Sequence, residues 1–158
     1  MGHWHNTMLL LVISLAILHV SHAHSEPSDY LHMHSCIRKA LGLPPLTWDP
    51  ALVQRAEKWA AQRTDCKLIH SPGGGENMGK GPDLSGRWAV QMWVDERRNY
   101  DYNKNECIHM CGHYTQVVWK DTQRLGCARV KCDPPEEDYY VVVCNYDPPG
   151  NYPGVWPY

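Results

Sequence analysis

The chain contains no phenylalanine; its rings come from seven Trp and nine Tyr. Every aromatic side chain therefore carries an N–H or O–H that asks for a partner or for water, which places rings at surfaces and groove rims as well as in a core. Long runs of one charge are also lacking. Fifteen Lys plus Arg stand against 17 Asp plus Glu, a net charge of -2, which excludes the basic stripe that a nucleic-acid partner would need. No apolar run reaches the roughly 20 residues needed to span hydrocarbon. Positions 1–25 hold no Lys, Arg, Asp or Glu, and the apolar run Met8 to Leu18 is followed by Val20-Ser21-His22-Ala23, a small-x-small cleavage pattern. Residues 1–23 read as a removable signal peptide, leaving about 135 residues for one core and no transmembrane segment.

What is abundant is cysteine. Cys36, Cys66, Cys107, Cys111, Cys127, Cys132 and Cys144 all lie downstream of the leader, and an exported chain meets an oxidising compartment. Three bridges and one leftover thiol are expected.

Ser28 is a candidate cap for a first helix carrying Leu31, His34, Ile37 and Leu41 on one face, ended by Gly42 and Pro44-Pro45. Here His34 is expected at the core edge. Asp49-Pro50 is a cap followed by a first-turn proline, and Leu52, Val53, Ala56, Trp59 and Ala60 form an apolar stripe, predicting a second helix to about Thr64. The glycine and proline density between His70 and Asp83 predicts a structured loop carrying His70 and Glu76. Asp83 or Ser85 opens a third helix in which Trp88, Met92, Trp93 and Glu96 share a face. A carboxylate on a tryptophan-bearing face needs a partner.

From Val117 the pattern turns to strand: Val117-Val118-Trp119, Leu125 to Cys132, and Tyr139 to Tyr146, the last two flanking a hairpin turn. Setting Asp133 opposite Asp138 puts Cys127 opposite Cys144 and Val130 opposite Val141, with Cys132 on the other sheet face. That register favours a Cys127–Cys144 bridge and lets Cys132 reach Cys66 while Cys107 and Cys111 close a small loop, one choice among those six cysteines allow.

Two segments, Gly112-His113-Tyr114-Thr115-Gln116-Val117-Val118-Trp119 and Cys144-Asn145-Tyr146-Asp147-Pro148-Pro149-Gly150-Asn151-Tyr152, resemble the signatures of the CAP superfamily. The chain is most similar to the plant pathogenesis-related proteins of the first class, a likeness carried also by Leu46-Thr47-Trp48-Asp49, Gly75-Glu76-Asn77, Met92-Trp93-Val94-Asp95-Glu96 and Leu125-Gly126-Cys127-Ala128-Arg129-Val130. The resemblance implies an α+β fold over residues 28–158, a three-layer α-β-α sandwich with the disulfides Cys66–Cys132, Cys107–Cys111 and Cys127–Cys144. Cys36 lies outside that set and is expected to be a buried spare thiol, interchain bridging being the alternative.

The resemblance also implies a cleft holding His70, Glu76, Glu96 and His113. Imidazoles with carboxylates suit zinc or another divalent cation, and the alternative is mutual hydrogen bonding with no required cofactor. No catalytic residue is expected, a metal-dependent hydrolase being a further alternative: there is no His-Glu-x-x-His helix, and Ser71 beside His70 is adjacency without geometry. Cys107-x-x-x-Cys111-x-His113 has metal-ligand spacing, but export favours the disulfide. The implied role is extracellular defence, in apoplast or vacuole, against fungi or oomycetes, by a monomer that sequesters a sterol or related lipid from pathogen membranes. Trp88, Trp93, Tyr100 and Tyr102 are the candidate lipid-binding rings. Residues 148–158, rich in Pro, Gly and aromatics, resemble a segment released as a signalling peptide by a cut between Asp147 and Pro148; the alternative is a segment packed by Tyr152 and Trp156.

Overall fold

The computed structural model describes residues 26–133 and 138–158. The signal-peptide expectation, and the turn at 134–137, lie outside the described residues. The element order is α1 (Pro27–Ala40), β1 (Thr47–Trp48), α2 (Pro50–Ala60), β2 (Glu76–Pro82), α3 (Gly86–Asp95), a 3-10 turn (Glu96–Asn99), β3 (Tyr100–Asp101), β4 (Glu106–Cys107), α4 (Gly112–Val117), β5 (Arg124–Lys131) and β6 (Tyr139–Asp147).

The sheet runs β1-β5-β6-β2, with β1 parallel to β5 and the other pairs antiparallel. Side chains alternate between its faces. Leu125, Cys127, Val142, Cys144 and Tyr146 join Trp93, Tyr114 and Val117 in one core, while Val141, Val143 and Met78 join Ala56 and Ala60 of α2 in the other. This is the α-β-α sandwich that the resemblance implied. Cys127 faces Cys144 and Val130 faces Val141 as the hairpin register predicted, and the three disulfides have the expected pairing. At Gly126 a Cβ would come 2.3 Å from the Val53 nitrogen and 2.5 Å from the Leu52 carbonyl carbon. Glycine there is what lets α2 lie directly on β5.

Asp49 caps α2 as predicted, accepting from the Ala51 and Leu52 amides at 2.8 and 3.2 Å. The helix stops at Ala60, short of Thr64. Ser28 is not a cap; it lies in the first turn of α1, whose start has no side-chain cap. The expected loop 70–83 is half strand: β2 pairs with β6 from Glu76 opposite Asn145 to Pro82 opposite Tyr139. Main-chain pairing with a strand already in place supplies what the glycine-rich side chains do not, and Pro82 is tolerated at the end of an edge strand. Val117 is helical rather than extended, because hydrogen bonds from the first turn of α4 to the Glu96 carboxylate hold the helix and override local β propensity. Cys36 is exposed on α1, 3.7 Å from Nε2 of His32. It is not the buried thiol expected, since the inward face of α1 is taken by Tyr30, His34, Ile37 and Arg38.

Candidate functional site

The four polar residues are gathered two by two. Glu76 opens β2 with its side chain 1% exposed, and its carboxylate accepts from the Ser71 amide at 2.9 Å, the Ser71 hydroxyl at 2.5 Å and Nδ1 of His70 at 2.9 Å. Gly73, Gly74 and Gly75, all at positive φ, turn the chain so that the His70-Ser71 pair folds back onto it. The Ser71 hydroxyl thus donates to a carboxylate and is not held by an imidazole base, so these three residues form no nucleophilic relay.

The second pair sits where α3 passes into the 3-10 turn. Glu96 accepts from the His113 amide at 3.0 Å, the Tyr114 amide at 3.4 Å and Nδ1 of His113 at 2.6 Å. These amides are orphan donors of the first turn of α4, and Cys111 at its cap position offers no side-chain bond. Glu96 therefore caps α4 across space, and this tertiary cap makes a helix from a segment that reads as strand. Trp93, buried on α3, stacks with the His113 ring at 6.2 Å and donates its Nε1–H to the Met78 carbonyl at 3.2 Å.

Asn77 joins the pairs. Next to Glu76, on the opposite sheet face, it donates to the His113 carbonyl at 3.0 Å and to the Tyr146 hydroxyl at 3.2 Å. That hydroxyl donates to Nε2 of His34 at 2.9 Å, and Nδ1–H of His34 donates to the Tyr30 carbonyl at 2.8 Å. In the sequence Asn77 and Tyr146 stand out only as parts of motifs, and His34 is expected at the core edge; their alternation into the polar centre of one sheet face was the signal available. His34 is fully buried.

Burial, with a smaller push from Arg38, holds the His34 imidazole at about 4. Its folded value lies below its unfolded value, so the unfolded chain binds the extra proton and stability falls as pH drops from about 6.5 toward 4. Urea unfolding of the wild type should lose roughly 3 kcal/mol through this group across that window, and His34→Gln should remove that share of the slope. An unchanged slope in the variant would contradict the assignment.

Both carboxylates are filled by hydrogen bonds, and each imidazole keeps Nε2 without a partner among the described residues. Among those residues no three His, Cys, Asp or Glu side chains form a group able to hold an ion. Each carboxylate is turned to its own histidine, the place a carboxylate takes behind an imidazole ligand. Cys107 and Cys111 are tied to each other and offer no thiolate.

The four candidate rings are not gathered into one groove. Trp93 is 2% exposed in the core, while Trp88 is 65% exposed on the outer side of α3; the predicted shared face held only for Trp93 and Glu96. Tyr100 and Tyr102 pack with Tyr158, at 6.3 and 4.9 Å between ring centroids. A different recess, open and of about 610 Å³, lies between α1 and the end of α3, lined by Ile37, Val94, Asp95, Arg97 and Arg98.

The model of the cysteine-rich secretory protein family, CAP, matches residues 31–146. The chain belongs to the CAP family. This CAP protein is 47% identical over 163 residues to pathogenesis-related leaf protein 4 of Solanum lycopersicum, covering 100% of both chains. It is 48% identical over 157 residues to the basic form of pathogenesis-related protein 1 of Nicotiana tabacum, covering 96% of this chain and 87% of that one. Among solved structures, the venom allergen-like protein 4 of Schistosoma mansoni matches at a TM-score of 0.66 and 30% identity, over 83% of this chain and 91% of that one. Full-length likeness to the plant proteins makes this CAP protein a plant defence protein of the pathogenesis-related class 1 group. Its three disulfides are those of a secreted chain. No helix among the described residues is long and apolar enough to cross a membrane.

Proposed function

We propose that this CAP protein acts against fungi or oomycetes in the apoplast or vacuole, after removal of residues 1–23, by binding a sterol or related lipid without catalysing a reaction on it. The observation that carries the reading is the recess between α1 and α3. It is open, with a volume of about 610 Å³, and would hold a ligand against its wall rather than enclose it. Ile37 and Val94 supply apolar wall, and Asp95, Arg97 and Arg98 supply polar atoms for a hydroxyl or other head group. The Glu76-bound hydroxyl of Ser71 supports a non-catalytic role. Zinc, where present, would be held through Nε2 of His70 and His113 and would add Lewis-acid character to the cleft.

The test is equilibrium binding of radiolabelled sterol to purified wild type and to Val94→Asp. Saturable uptake by the wild type, weakened at least about tenfold in the variant, is expected. No saturable uptake by folded wild type would end the lipid reading. A second reading, release of residues 148–158 as a signalling peptide, is favoured by the irregular structure of that segment, with Tyr152, Val155 and Trp156 exposed. Asp147→Ala should then reduce release and the immune response together.

A further inference from the structure

We infer that Tyr100, Tyr102 and Tyr114 form a binding site for an aromatic, proline-containing peptide, and that the chain's own segment Pro148–Tyr158 fills it as a resident ligand. The inference is independent of the lipid reading and touches the peptide reading at one point only: a peptide cut free at Asp147 would leave the domain slowly.

The three tyrosines come from β3, the loop after it and α4, and they enclose one ring. Tyr102 stacks on Tyr158 with centroids 4.9 Å apart and planes 22° from parallel. Tyr100 and Tyr114 present their rings at 62° and 81° to it, with centroids at 6.3 and 6.4 Å. Offset stacking and edge contacts of this kind add to the area buried. The polar tips are matched as well: the Tyr114 hydroxyl donates to the Tyr158 hydroxyl at 3.1 Å, and the Tyr102 hydroxyl donates to the Tyr158 main-chain oxygen at 3.0 Å. The absence of phenylalanine thus has a use here, since two of the enclosing rings hydrogen-bond the guest they pack against.

The remainder of the segment is held in the same manner. Trp156 donates Nε1–H to the Tyr102 carbonyl at 2.9 Å, and the Lys120 amide donates to the Pro157 carbonyl at 2.6 Å. The Asn151 side chain donates to the Gly112 carbonyl at 2.8 Å and accepts from the Thr115 hydroxyl at 2.7 Å. Gly150 donates its amide to the Gln116 side chain at 2.8 Å and lies so close to Trp119 that a Cβ would come 2.6 Å from its ring. Thr122 donates to the Pro148 carbonyl at 2.8 Å. Against these stands a single main-chain hydrogen bond within the segment, Val155 amide to Tyr152 carbonyl at 3.1 Å. A stretch with so little internal structure and this many contacts to α4, β3 and their loops is arranged as a bound peptide is. Its covalent link at Asp147 contributes proximity, which a cut removes, but none of these contacts.

The experiment titrates a fluorescent synthetic peptide of residues 148–158 into the full chain, monitored by anisotropy. In one variant, Asn151→Ala with Trp156→Ala and Tyr158→Ala, the resident segment is weakened and the enclosing tyrosines are intact. Saturable binding to this variant is expected, at least about tenfold tighter than to the wild type, whose site is filled, and at least about tenfold tighter than to the same variant with Tyr102→Ala added. A scrambled peptide should not bind. Equal binding to all three chains, or none to the weakened variant with its circular dichroism unchanged, overturns the inference. On the unaltered protein, hydrogen exchange provides a measurement free of folding defects. The Gly150 and Lys120 amides should exchange at least about tenfold more slowly than in unstructured peptide, and exchange at the unstructured rate would equally overturn it.

Discussion

Replacing Arg38 with leucine is expected to destabilise the protein by about 4 kcal/mol, the cost of stripping buried carbonyls of a charged donor. Arg38 is fully buried on α1 with no carboxylate partner among the described residues; its guanidinium is spent on the main chain. Nε donates to the Pro44 carbonyl at 2.8 Å, Nη1 to those of Val117 and Trp119 at 3.1 and 2.8 Å, and Nη2 to that of Thr122 at 3.1 Å. Burial brings its pKa down to about 10, so the group stays charged at neutral pH. One planar fork thus stitches the exit of α1 to the turn between α4 and β5. Arg38→Lys should recover only part of the loss, since one ammonium cannot reach all four oxygens. Urea unfolding read by tryptophan fluorescence measures both, and a loss below about 1 kcal/mol for leucine would contradict this account.

Removing the Cys66–Cys132 bridge by a double change to alanine is expected to cost a similar amount, about 4 kcal/mol by the loop-entropy relation for a separation of 66 residues. The same relation gives about 2 kcal/mol for Cys107–Cys111, whose separation is 4. The longer bridge also fixes the start of the segment that carries His70, because Cys66 lies in the α2-side core with Met78, Val141 and Val143. The alanine pair should therefore raise exchange of the Ser71 amide, which is bonded to Glu76, more than removal of the shorter bridge does. Denaturant midpoints for the two double variants provide the comparison, and equal losses would count against the entropic ordering.

Legibility of the fold from sequence tracked the locality of the signal. The Asp49 cap and the β5–β6 register could be read because a capping residue or an alternating pattern carries them within a few positions. α4 could not, since its cap is Glu96, supplied from another helix, and β2 could not, since its partner is β6 and its own residues are glycine-rich. The candidate site divides the same way. Residue types at His70, Glu76, Glu96 and His113 were evident, and mutual hydrogen bonding was the alternative read from them, but not which histidine each carboxylate would take, nor the amides and the hydroxyl that complete it. Trp88 shows the limit of periodicity: its helical spacing from Met92 was read as a buried face, yet 65% of Trp88 and 47% of Met92 are exposed, the inner side of α3 belonging to Ala89, Val90 and Trp93.

Cys36 gives the molecule a built-in point of attachment. It is the one free thiol among the described residues and it is exposed, immediately before Ile37 on the wall of the recess. A polarity-sensitive dye coupled there would report guests entering beside it with no engineered cysteine. Tethering through the same sulfur to a sensor chip would orient every molecule alike, by α1, with α2 facing the solution.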